Sequence, residues 1–587
     1  MSMDNNELKR LASAVLKVDL TDVSILDCEE VCAEVKDGVR TAGGASVSQK
    51  MRALMLLAQN NGKETVAINQ KKHFKRLGAM LDMSRGGVMR PEKVKEFLIK
   101  LALYGADYMM LYTEDVFTLE GYPHFGYLRG AYTDEELRDI DDFAESLGIE
   151  VIPCVQTLGH LFQYLSWEES RPIRDTATVL LVEEEKTYQF VESVIAKMRS
   201  VFRSNRIHIG MDEAHDVGLG EYLKRHGYED RFAVLNRHLA RVKDICDKYD
   251  YAPMMWSDMF FRIGTGEYYK YDTDFPADVV EQIPDVDMVY WDYYHDTEDV
   301  YRGMIRRHRQ MKRPIIFSGS VWTCMGFLPD TFHLVMKNSL PALMTCIEEG
   351  IEDVMATFWG DGGCETDYFY GLYGFAAFSE ICYGGKETTM EQIEAAGELV
   401  SGYPTELLHW CDAFHGEGDT MIGRCLVYGD VFYNVTGCDW SRSPIKESLR
   451  EAWEAIRPEY RYEKCLLSIA YQKAKLYANL QADYKEGKDL GVYVTEILPR
   501  LKKEYEEFFE IYRKRWMELN KPFGFEVLSA RFGGCILRLQ CAIETVRDYC
   551  EGKCDKIEEL EYVPVYGECR SVTSYEHLAF GRVSIDV

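Results

Sequence analysis

"GAMLDMSRGGVMRPEKVKEFLIKLALYGADYMMLY", residues 78–112, contains one complete structural unit. Its first run, 78–84, is apolar almost throughout instead of alternating, which suits a strand buried on both faces, as in a parallel sheet. Pro91 opens a periodic stretch that closes at Gly105, and Pro at the first turn with Gly at the end is the ordinary punctuation of a helix. Residues 107–112 return to an apolar run. The alternation continues outward. A helix at 133–148 leads to a strand at 149–155, a helix at 186–202 to a strand at 207–211, and a helix at 231–249 to a strand at 252–256. Strands at 287–291, 313–318 and 351–359 follow, separated by helices at 298–311 and 334–350. Eight strands, nearly all followed by a helix, over about 305 residues predict an α/β chain folded as a (β/α)8 TIM barrel. A doubly wound sheet is the alternative.

Around the barrel (74–383) the reading places a small N-terminal α/β domain at 1–73, with helices near 5–16 and 46–59 and a strand at "ETVAIN" (64–69). From 384 to 587 it places a mainly α-helical C-terminal domain, with periodic segments near 464–485, 489–520 and 528–551. The last stretch, 562–587, has β-like runs with no obvious place.

Lys plus Arg number 68 against 97 Asp plus Glu, a formal charge of -29, so the surface repels phosphate backbones and anionic membranes. Neither nucleic acid nor a membrane is an expected partner. The opening "MSMDNNELKRLASAVLKVDL" has no apolar signal core, and no segment reaches membrane-span length. The 17 cysteines, scattered through apolar stretches, read as reduced thiols of a cytoplasmic protein. Cys28/Cys32 and Cys550/Cys554 have i, i+4 spacing on expected helices, without a second pair or a His to make a zinc site.

Barrel enzymes work at the C-terminal ends of their strands. Here those ends carry Asp82, Ser84 and Arg85; Glu114 and Asp115; Gln156 and His160; Asp212 and Glu213; Trp256 and Asp258; Tyr290, Trp291, Asp292 and Tyr293; Trp322; then Trp359, Asp361 and Glu365. Aromatics mixed with carboxylates around one rim describe a carbohydrate pocket, since rings stack on sugar faces and carboxylates accept from hydroxyls. A glycosidase with two catalytic carboxylates sets them about 5–5.5 Å apart when retaining and about 6.5–9.5 Å when inverting, on opposite sides of the bond. The seventh strand leads into "SGSVWTCMGF" (318–327), which has no carboxylate before Asp330, so the usual nucleophile position is empty. That points to a substrate supplying its own nucleophile. The carbonyl oxygen of a 2-acetamido sugar does so by attacking the anomeric carbon to form an oxazolinium ion. Adjacent carboxylates suit this division: Asp212 ionised to hold the acetamide, and Glu213, protonated under its neighbour's charge and aromatic walls, as general acid.

"HIGMDE" (208–213) matches the H-x-G-x-D-E signature of glycoside hydrolase family 20, the β-N-acetylhexosaminidases. "LDMSR", "VIPCVQTLGHL", "MWSDMFF", "VYWDYYHD" and "WGDGGCET" extend the likeness over the barrel. The chain resembles the compact intracellular branch that includes hexosaminidase D and bacterial exo-β-N-acetylglucosaminidases. The resemblance implies exo-acting, retaining release of terminal β-linked GlcNAc or GalNAc from a glycan, with Asp212 and Glu213 catalytic. It implies no cofactor and no metal, and a homodimer is compatible with it. It assigns His160 beside the catalytic pair, Trp256, Trp322 and Trp359 as walls of the acetamido and sugar pocket, and Asp361 to the 4- and 6-hydroxyls. It also assigns Asp258 and Asp292 to the site, and either Tyr290 or Tyr293 as donor to the acetyl oxygen. Where many members carry an Arg before the first strand, this chain has Leu77, with Arg76 beside it; Arg85, with Glu114, is the expected substitute. Three rivals stand beside this reading: a two-carboxylate glycosidase using Asp292 or Asp361, a non-catalytic sugar-binding barrel, and a metal-dependent hydrolase using His208, Asp212 and His215.

Overall fold

The computed structural model describes residues 3–275, 280–416, 421–567 and 569. The N-terminal part is a four-stranded sheet in the order β1-β3-β2-β4: β1 (Ser24–Asp27), β2 (Val31–Lys36), β3 (Val39–Gly44) and β4 (Val66–Gln70). Helices Asn5–Leu16 and Val47–Gln59 accompany it, the second started by Ser46, whose Oγ accepts from the Gln49 amide at 3.2 Å. The sequence reading found the helices and β4 but missed β1 to β3. Cys28 and Cys32 do not share a helix; they flank the turn into β2, with sulfurs 3.2 Å apart.

Eight parallel strands then close a barrel: β5 (Arg76–Asp82), β6 (Tyr108–Tyr112), β7 (Glu150–Cys154), β8 (Arg206–His208), β9 (Ala252–Trp256), β10 (Asp287–Trp291), β11 (Ile315–Ser320) and β12 (Asp353–Phe358), with β12 pairing back onto β5. Alternate residues fill two different cores. Met80, Met110, Ile152, Met254, Val289, Ile316 and Met355 point inward and pack together, while Leu81, Met109, Val151, Met255, Met288, Phe317 and Val354 join the layer beneath the surrounding helices. Both faces of each strand are therefore dry, which is why the runs read as continuously apolar. Gly78 sits opposite Tyr108, where a side chain would strike the tyrosine ring.

The N-terminal mouth of the barrel is filled by charge. Asp353 accepts from Tyr108 Oη at 2.6 Å and from Arg206 Nη2 at 2.9 Å, and Arg76 pairs with Glu150 beside them. This places Arg76 at the end remote from the carboxylate rim.

After β12 the chain is helical. Tyr368–Gly384 is buried along almost its entire length, and Arg461–Lys485, Leu498–Leu519 and Phe525–Cys550 pack in sequence on one another. Two buried ion pairs tie the outer parts to the barrel: Arg52 to Glu380 at 3.0 Å, and Arg424 to Glu365 at 2.7 Å. Glu365, read from sequence as a rim residue, is thus an internal tie. Cys438 and Cys569 form a disulfide, which corrects the reading of every cysteine as a free thiol. Most of the β-like terminal stretch, 570–587 included, lies outside the described residues. Among the described residues no helix is long and apolar enough to cross a membrane.

Candidate active site

The site grows from the end of β8. That strand has only three residues, and the chain then turns through the left-handed region at Gly210 (φ 71°), Met211 (φ 72°) and Glu213 (φ 48°). Gly210 takes this conformation without cost, whereas Met and Glu there are uncommon and mark a constrained turn. The turn sends two neighbouring carboxylates into different surroundings. Asp212 is 7% exposed, and its Oδ1 accepts from Gln156 Nε2 at 2.7 Å. The Glu213 side chain is 44% exposed, so it is not enclosed by aromatic walls as the sequence reading expected. Its backbone N–H donates to Asp258 Oδ2 at 3.0 Å.

His160, also at positive φ, reaches Asp212 Oδ2 at 3.1 Å and Glu213 Oε2 at 3.5 Å through Nε2. Burial works against a charged imidazole, but Asp212 and then Glu213 outweigh it and raise its pKa to about 11. Burial alone would raise the Asp212 carboxyl; His160 and the Gln156 amide reverse that and hold it below its usual value. Asp258 differs: burial first, then the charge of Asp212, push it up to about 8, a protonated acid at neutral pH.

A cavity of about 120 Å³ adjoins this pair. Of the residues that the sequence reading singled out, Arg85, His160, Asp212, Glu213, Trp256, Tyr293, Trp322, Trp359 and Asp361 line it. Trp359 Nε1 donates to Tyr293 Oη at 3.1 Å, and Tyr293 stacks on Trp291 with centroids 5.3 Å apart. The indole Nε1 atoms of Trp256 and Trp322 are buried with no partner in the protein. Arg85 bridges the rim, binding Glu114 Oε1 at 2.7 Å and Asp361 Oδ1 at 3.2 Å; Glu114 stands just outside the cavity, beneath Arg85.

Besides Glu114, three expected residues do not line the cavity. Tyr290 and Asp292 fall on the outward face of β10 and its continuation. Tyr290 packs on His308 and Phe317, and its hydroxyl donates to Asp292 Oδ2 at 2.7 Å. Asp292 is 2% exposed and also holds His295 Nδ1 at 2.9 Å. Asp258 lies behind the turn after β8 and accepts from its Glu213 amide. Of the two tyrosines left open, Tyr293 is the one in the cavity. Sequence reasoning placed Trp291 and Gln156 on the rim without a particular role; Trp291 lines the cavity and Gln156 holds Asp212. It missed Tyr294, Ser320 and Cys324, which also line the cavity. Counting faces along β10 from inward Val289 would have put Trp291 there.

The metal-site trio is not assembled. His208 is buried against Trp256 inside the barrel, and His215 bonds the Tyr268 hydroxyl at 2.8 Å. Among the described residues, the one group of potential ligand atoms within 4.8 Å of each other is Asp330, His333 and Asp412, in a different part of the molecule.

A closed barrel whose C-terminal rim sets paired carboxylates among indoles is the architecture of a carbohydrate-processing site, and the sequence comparisons agree. Residues 77–275 match the catalytic domain of glycosyl hydrolase family 20, and residues 439–575 match the Glycoside Hydrolase 20C C-terminal domain. Together they span more than half of the chain, which belongs to glycoside hydrolase family 20. Hexosaminidase D of Bos taurus is 27% identical over 206 residues, covering 33% of this chain and 56% of the relative. Hexosaminidase D of Homo sapiens is 24% identical over 37% of this chain and 45% of the relative. The chain thus spans about half the length of the curated relatives it matches. The β-N-acetylhexosaminidase of Streptomyces coelicolor A3(2) shares the fold, with a TM-score of 0.51 at 16% identity over 69% of this chain and 91% of that one.

Proposed function

We propose that the protein is an exo-acting, retaining β-N-acetylhexosaminidase that releases terminal β-linked GlcNAc or GalNAc by substrate-assisted catalysis. The observation that carries this reading is the content of the cavity wall. Among the described residues its only carboxylates are the Asp212–Glu213 pair and Asp361, and Arg85 already engages Asp361. The end of β11 supplies Ser320 and Trp322 where a two-carboxylate enzyme would place a nucleophile. Asp292, the other candidate nucleophile, lies behind the wall.

In this reading Asp212, held ionised by His160 and Gln156, orients the acetamido N–H and stabilises the positive charge that develops as its carbonyl oxygen attacks C1. Glu213, half exposed at the cavity edge, donates a proton to the departing oxygen and then accepts one from the water that opens the oxazolinium. The partnerless indole N–H groups of Trp256 and Trp322 are donors for a ligand oxygen, since a buried donor otherwise carries a desolvation cost. Arg85 and Asp361 read ring hydroxyls. A cavity this small takes one terminal sugar, which makes the action exo. The names of the bovine, human and Streptomyces relatives support the same substrate class.

Nitrophenyl β-GlcNAc and β-GalNAc are the test substrates. Turnover with retained β configuration, and a steep slowing when the acetyl group becomes trifluoroacetyl, is the expected result. Absence of turnover on both overturns the activity. A 2-fluoro glycoside should leave the protein mass unchanged; a labelled carboxylate at Asp361 or elsewhere overturns the mechanism.

A further inference from the structure

A second cavity, of about 790 Å³, opens outward from the first, and Arg85, His160 and Glu213 line both. We propose that this outer cleft holds the further sugars of the leaving group, and that the start of helix Phe525–Cys550, in the C-terminal region, forms part of its lining. The inference rests on the hexosaminidase reading. An acid must face the oxygen it protonates, so whatever that oxygen carries has to extend past Glu213, and the cleft is what lies there.

One wall is aromatic. Phe162, just after β7, is 54% exposed, and Tyr127, on the loop after β6, is 50% exposed. Tyr127 meets Trp167 edge-on at 5.5 Å, and Trp167 is itself stacked on His124 at 4.8 Å. Tyr127 is thus held against Trp167 while it and Phe162 stay half exposed, and the apolar face of a sugar ring covers such surface. The start of helix Phe525–Cys550 also lines the cleft, with Glu526, Val527 and Arg531. It is fixed by backbone contact: Gly524 lies directly on Gly86, and the Lys521 amide donates to Val88 O at 2.8 Å. The arginines of the cleft are each engaged by a carboxylate, Arg85 with Glu114, Arg129 with Asp115 and Arg531 with Glu365. Among the described residues the cleft has no free cation, which suits a neutral oligosaccharide over a sulfated or sialylated one, and its volume lies in the range that encloses a ligand of several rings.

The test compares kcat/KM on a neutral trisaccharide ending in β-GlcNAc with that on methyl β-GlcNAc, which has nothing to place in the cleft. Phe162→Ala on the aromatic wall and Val527→Asp on the helix should each lower the trisaccharide value about tenfold and the methyl glycoside value less than about twofold. Phe162→Trp should keep the trisaccharide preference, and a sulfated trisaccharide should be the poorer substrate. Equal losses on both substrates, no loss on either, or a preference for the sulfated sugar overturns the inference while leaving the activity intact. If the unaltered chain cleaves neither glycoside, the activity reading fails and takes this inference with it.

Discussion

Asp212 and Glu213 share a peptide bond but little else: one is buried, clamped by His160 and Gln156, and the other is half in solvent. Their roles separate experimentally. Glu213→Gln should lower turnover of alkyl glycosides by about 10²–10⁴-fold and of nitrophenyl glycosides far less, because a good leaving group barely needs a proton. Asp212→Asn should depress both classes alike; the reverse pattern would exchange the assignments. Asp258 behind them gives a stability signature. Its folded-state pKa of about 8 stands above the ordinary 3.8, so the folded protein keeps a proton that the unfolded chain releases. That contribution is full below pH 3.8 and is lost as pH rises through about 8, by at most about 1.4 kcal/mol per pH unit. Asp258→Asn, a neutral mimic, should flatten the fall of stability between those two values in denaturant titrations. An unchanged slope would show that Asp258 is ionised throughout.

The turn after β8 does for the site what no single residue does. Gly210 accepts a left-handed conformation, and a side chain there would collide with the Gln156 amide that holds Asp212. Gly210→Ala should therefore destabilise the fold by about 1–3 kcal/mol and lower kcat as well, with urea midpoints and steady-state rates as the measurements. A stable, fully active variant would mean that the turn is not needed. Little of this turn was legible in "HIGMDE". The motif marked where the carboxylates are, but neither Met nor Glu signals a positive φ, so their divergence came from the folded chain. The misplacement of Tyr290 and Asp292 had a simpler cause. Strand ends were read without counting faces, and a step of one residue exchanges the cavity for the helix layer. Val289 and Trp291 share the inward parity, and that much was present in the sequence.

At the scale of the whole chain, the barrel was legible because strands dry on both faces leave uninterrupted apolar runs. The N-terminal sheet was not: β1 is short and largely exposed, with the pattern of a loop. Nor was the docking of the C-terminal helices, since an amphipathic stripe shows that a face is buried and not what buries it. The seams can be tested. Arg52 is fully buried, and its guanidinium meets both Glu380 oxygens, at 3.0 and 3.1 Å. Arg52→Ala strands a buried carboxylate and should cost about 3–5 kcal/mol, read from thermal or denaturant unfolding. A loss below about 1 kcal/mol would mean that the N-terminal part docks by apolar contact alone. The charged plug of Arg76, Glu150, Arg206 and Asp353 has a kinetic consequence. With the inward core side chains above it, this base leaves no passage through the barrel, so in the proposed reaction the site has one doorway and the freed monosaccharide, behind the departing chain, exits second. Compulsory order leaves a trace in steady-state inhibition: the monosaccharide should compete with substrate, while the shortened chain should act as a noncompetitive inhibitor. Competitive behaviour by both would indicate release in random order, through an opening that the plug does not close.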